Sequence, residues 1–141
     1  MNTAEKKVMV GIYLKGHELD PQKITEAIGI TPSISHCRGQ AKRTSSGRDF
    51  ITKIGVWGFV IDEDPAEVVD VVTNLIAILG LQEKPLLSLP HVQDAYIDIF
   101  VAADSDEDGV GTCEMALTGE QIKTLSSYGL PIRFTVSIGK P

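Results

Sequence analysis

Val8-Met9-Val10-Gly11-Ile12-Tyr13-Leu14 places its larger apolar side chains at every second position. That is the period-two pattern of a strand with one face on a core. Asp20 and Pro21 follow closely, an N-cap acceptor and a residue preset for the first helical position. Ile24, Ala27 and Ile28 then form a short apolar stripe, and Gly29 supplies a left-handed stop, which predicts a helix over 21–28. A strand running straight into a capped helix sets the problem for the rest of the chain: what pairs with that strand, and what covers it.

Reading outward, residues 34–53 are polar, basic and turn-rich, with Ser45, Ser46 and Gly47 as the turn between two extended arms. Residues 54–61 return to strand chemistry around Trp57, Phe59 and Ile61. Asp64, Pro65 and Glu67 spell a helix start with a capping box, predicting a helix over 65–79 that ends at Gly80 and is buried over most of its circumference. After a connection from Lys84 to Pro90, residues 95–103 alternate again, with Ile97, Ile99 and Val101 in one row. Thr118 and Gln121 form a second capping box before Ile122 and Leu125, Gly129 and Pro131 end that helix, and Ile132, Phe134, Val136 and Ile138 make a closing strand. The order predicts one α+β domain over 1–141. Its sheet of about five strands is mostly antiparallel and backed by helices, a ferredoxin-like core with an added helix and strand.

Leu19, Asp20, Pro21, Lys23, Ile24, Thr25 and Glu26 lead into Ile28, Gly29, Ile30, Thr31 and Pro32. Gly39, the basic stretch beyond it, Val56, Trp57 and Gly58, the helix start at Asp64, and Leu125, Gly129, Ile132 and Phe134 follow. On these residues the chain resembles a bacterial family known as domain of unknown function number 4279. The resemblance implies a bacterial protein and brings no activity with it.

The net charge of −6 argues against a general nucleic-acid binder. Between His36 and Lys53, however, Arg38, Lys42, Arg43, Arg48 and Lys53 face only Asp49, five bases against one acid, or +4. The other residues hold eight bases against eighteen acids, or −10. A basic segment on an acidic body suits self-association or a charged partner. No apolar run reaches the roughly 20 residues of a membrane span. Met1 to Lys7 lacks a secretory pattern, and two cysteines fit reduced thiols, so a cytoplasmic location is expected.

Asp104, Asp106, Asp108 and Gly109 offer alternate carboxylates before a glycine, as a calcium loop does, but position 115 is Met115 where the bidentate acid belongs. An ordinary solvated turn reads the same residues. His36 and Cys37 could start a zinc site or a nucleophile and base pair with Cys113, His91 or His17, although neighbours in a strand point to opposite faces. Trp57 reads as a core residue or as a stacking face for a ligand. Phosphate loops and nucleophile elbows are missing from the sequence, and nothing calls for a cofactor. The expectation is therefore a noncatalytic domain acting through protein contacts, as a homodimer or with an immunity-type role against a basic toxin. Its binding residues would be Arg38, Lys42, Arg43, Arg48 and Trp57. The alternative is a small-ligand-binding or enzymatic domain with a pocket near Trp57 and the basic segment 36–53.

Overall fold

The computed structural model describes residues 6–63, 67–80, 85–105 and 112–139. In order these form β1 (Lys6–Gly16), α1 (Pro21–Ile28), β2 (Ile34–His36), β3 (Ala41–Arg43), β4 (Asp49–Ile51), β5 (Gly55–Glu63) and α2 (Val68–Leu79). A 3-10 turn at Leu86–Ser88, β6 (Asp94–Asp104), α3 (Gly119–Ser127) and β7 (Ile132–Gly139) complete them. Five strands make one sheet in the order β2-β5-β1-β6-β7, while β3 and β4 form a separate two-stranded sheet. The class is α+β, as the sequence predicts. β2 runs antiparallel to β5, whereas β6 and β7 are parallel. Parallel neighbours need a crossover, which α3 supplies, so α3 and β7 are the helix and strand expected at the C-terminal end.

By contacts the chain groups into two compact units, one of Met1–Gly11, Ile61–Leu81 and Ile97–Pro141, the other of Ile12–Val60 and Gln82–Tyr96. In the first unit Val8 and Val10 of β1, Ile97, Ile99 and Val101 of β6, and Val68, Val71, Val72 and Leu75 of α2 are at most 1% exposed. Each such side chain contributes about 1.5–3 kcal/mol of burial. α2 buries one face only, since Asp70, Thr73, Asn74 and Ala77 are exposed. It also starts later than expected: Glu67 is the N-cap, without a side-chain capping bond, and Gly80 ends the helix at φ −63° and not in the left-handed region. Asp64 and Pro65 lie outside the described residues. The capping box of α3 is present, with Thr118 and Gln121 each bonding the other's backbone at 3.0 Å. The Gln121 amide then donates to the Val69 carbonyl at 2.8 Å and to Thr73 Oγ1 at 3.0 Å, tying α3 to α2. Leu125 is buried as expected, but Ile122 is 55% exposed, so the cover over this face of α3 does not extend to its first turn.

In the second unit Asp20 accepts from the Gln22 N–H at 3.0 Å, and Gly29 at φ 80° donates to the Thr25 carbonyl, so α1 starts and stops where its sequence predicts. Ile12, Leu14, Leu19, Ile24 and Trp57 are its buried core. Tyr13 and Tyr96 stack at 5.3 Å, with the Lys15 ammonium 5.1 Å from the Tyr96 ring centre. Gly16 is fixed by close backbone approach, because a Cβ there would lie 1.9 Å from the His91 carbonyl oxygen. Gly16→Ala is accordingly expected to lower stability by about 1–3 kcal/mol in urea unfolding. Gly119→Ala, at a position with nothing within 4 Å, should change it little.

Candidate functional site

The basic segment is built around β3 and β4, which pair as Ala41 with Ile51, Lys42 with Phe50 and Arg43 with Asp49. The turn is closed by Thr44: its N–H donates to the Arg48 carbonyl, its carbonyl accepts from Gly47 at φ 83°, and its hydroxyl accepts from the Arg48 N–H. This is the hairpin expected between two extended arms. From Arg38 to Ile51 every residue is exposed except the half-buried Thr44, so the ribbon shows both of its faces. Paired residues of an antiparallel ribbon share a face, which sets Lys42 beside Phe50, and Arg43 with Asp49 on the side of Ala41 and Ile51.

The candidate cations divide into two kinds. Arg43 is held by Asp49 at 2.9 Å, and Arg38 reaches Glu18 at 2.7 Å and touches His17 Nε2. Exposed pairs of this sort are worth at most about 1 kcal/mol each, but they settle where the two guanidinium groups point. Lys42, Arg48 and Lys53 form no ion pair among the described residues. Phe50 is 44% exposed and Ile51 67%, so the ribbon carries free cations interleaved with apolar surface.

A buried threonine at the root holds the ribbon in place. Thr52, 5% exposed, is the one buried residue between Arg38 and Lys53. Its hydroxyl donates to the Cys37 carbonyl at 2.6 Å and accepts from the Gln40 N–H at 2.9 Å. Its N–H donates to the Gln40 carbonyl and its carbonyl accepts from Gly39, while the Gln40 side chain takes the Cys37 N–H at 2.8 Å. Neither Thr52 nor Gln40 is legible in the sequence, because a polar residue in an irregular segment leaves no periodic signal.

Trp57 belongs elsewhere. It is 1% exposed, and its indole N–H donates to Thr25 Oγ1 at 3.0 Å, joining β5 to α1. That is the core role, with no ring face open to a ligand. Asp106 and Asp108 lie outside the described residues, and Asp104 ends β6 exposed. His36 and Cys37 are half-buried, both cysteines are free, and no three His, Cys, Asp or Glu side chains come together among the described residues. A cleft of about 620 Å³ that the sequence did not announce lies between Glu67–Val69 and the segment Cys113–Thr118. Its lining combines the apolar side chains Val68, Val69, Met115, Ala116 and Leu117 with Glu67, Cys113, Glu114 and Thr118.

The described residues thus have an α+β fold that presents a basic β-ribbon. Residues 6–139 match the model of the family described as domain of unknown function (DUF4279). The chain belongs to that family. No curated protein matches it, and no solved structure does. Among the described residues no helix is long and apolar enough to cross a membrane.

Trp57 is the only tryptophan, so its fluorescence reports this site alone. Emission should be blue-shifted and poorly quenched by acrylamide. Thr25→Val, which leaves the indole N–H unpaired, should lower stability by about 1–3 kcal/mol in denaturant unfolding.

Proposed function

We infer that the chain is a noncatalytic protein-interaction domain whose ribbon, residues 38–53, docks on an acidic protein surface. One observation carries this reading: a two-stranded sheet outside the main sheet, exposed on both faces, that sets Lys42 beside Phe50 on one face and Ile51 on the other, with Arg48 in its turn and Lys53 at its root, all three cations without an ion pair among the described residues. Isolated hairpins are marginal in water. The Thr52 root and the Arg38 pair give this one its fixed position, so a partner meets a preformed arm and little ordering entropy opposes binding. Charge favours a protein partner over a nucleic acid. A chain of net −6 with Phe50 as the sole aromatic between Arg38 and Lys53 has neither the field nor the stacking platform that a nucleic-acid strand requires. Free Lys42, Arg48 and Lys53 steer an acidic surface, and Phe50 and Ile51 supply the apolar contact that steering alone lacks.

The test is capture of partners from the source cells by the full chain. Lys42→Glu, Arg48→Glu and Lys53→Glu together should weaken capture on the order of tenfold or more, and raised salt should do the same to the unaltered chain. Exchanging Arg43 and Asp49, which preserves their pair, should leave capture near its original level. Equal recovery of the same partners by the charge-reversed chain would remove the ribbon from the reading. It would point instead to the acidic remainder, which is the surface that an immunity-type role would use.

A further inference from the structure

β7 is the last strand of its sheet, so its outer row of backbone N–H and C=O groups meets no strand among the described residues. Every residue from Arg133 to Gly139 is exposed. The parallel register sets Phe134, Val136 and Ile138 beside Ile99, Val101 and Ala103 of β6. The β6 residues are at most 8% exposed, whereas Phe134, Val136 and Ile138 are 56%, 48% and 57% exposed. The apolar face of the sheet therefore runs one strand past its cover. Sheet edges are ordinarily blunted by short length, proline, bulges or charge. β2, at the other end of the strand order, is only three residues long. β7 has eight residues, no proline and a single charge, Arg133.

We propose that β7 is a homodimer strand, which pairs antiparallel with β7 of a second copy about a two-fold axis at Val136. The sequence of the strand is complementary to itself in that register. Val136 meets Val136 of the other copy, Phe134 meets Ile138 twice on the same face, and Thr135 meets Ser137 on the other face. Arg133 falls opposite Gly139, so no like charges oppose each other. The open edge and three half-exposed apolar side chains bury on the order of 1,000 Å² over the two copies, the lower bound of a specific interface. A two-fold contact uses one patch twice, so a second copy meets every requirement of length and alternation without a separately matched partner. The strand lies outside the ribbon 38–53, so loss of either surface leaves the other intact.

Sedimentation velocity on the full chain across about 1 to 200 µM should show a reversible monomer–dimer equilibrium with Kd in the micromolar range. Val136→Lys sets two ammonium groups against each other at the axis and should raise Kd at least tenfold with unchanged far-UV circular dichroism. In a Cys37→Ser, Cys113→Ser background, Val136→Cys should form a covalent dimer on mild oxidation, because directly opposed residues lie within disulfide reach. Arg133→Cys, separated from its own copy by about 20 Å at 3.4 Å per residue, should not. A chain that stays monomeric to 200 µM, or a Val136→Lys variant that dimerises like the unaltered chain, overturns the proposal. A dimer without the Val136→Cys cross-link overturns the register. The cross-linking arm keeps the proposal falsifiable even if the lysine variant fails to fold.

Discussion

The Thr52 hydroxyl marks where the body of the protein ends and the ribbon begins. It gives one hydrogen bond to Cys37 and takes one from Gln40, and the Thr52 backbone bonds both Gln40 and Gly39. A short two-stranded ribbon exposed on both faces buries too little apolar surface to hold itself in one orientation. Its fixed position follows from the one buried residue of the knot, since breaking it would leave the Thr52 hydroxyl without a partner away from water at about 1–3 kcal/mol. The Arg38 contacts to Glu18 and His17 add a second tether from the β1–α1 connection. With the root fixed, the free cations Lys42, Arg48 and Lys53 become a defined pattern and cease to be a diffuse charge.

Much of the fold is legible in local signals. Asp20-Pro21 and Gly29 bound α1, and Thr118 with Gln121 starts α3, because caps are made within a few residues of where they are written. The alternation in β1, β6 and β7 likewise survives folding. The start of α2 does not follow its signal, since the described helix opens at Val68 with Glu67 as an N-cap that makes no side-chain capping bond. Alternation also cannot report what covers a face. Ile97, Ile99 and Val101 read the same as Phe134, Val136 and Ile138, yet the first row is buried and the second lies open.

The site was legible as a region and not as a set of roles. The concentration of charge between His36 and Lys53 identified the ribbon, and Ser45, Ser46 and Gly47 its turn. The division of its cations depends on Glu18, twenty residues before Arg38, and on a cross-strand register that gives Asp49 to Arg43. Neither is visible without the fold. Trp57 reads in sequence as core or as a stacking face, and its burial and its bond to Thr25 place it in the core.

Residue-resolved hydrogen exchange on the full chain and on Thr52→Val tests most directly whether one buried hydroxyl fixes the ribbon. In the unaltered chain the amides of Gly39, Gln40, Thr44, Gly47, Arg48 and Thr52, each of which donates a hydrogen bond, should exchange more slowly than unstructured amides. Thr52→Val should release all six together while amides in β1 and β6 keep their protection. Unchanged protection across Thr44 to Arg48 in the variant would contradict the account, because the ribbon would then hold its position without its root.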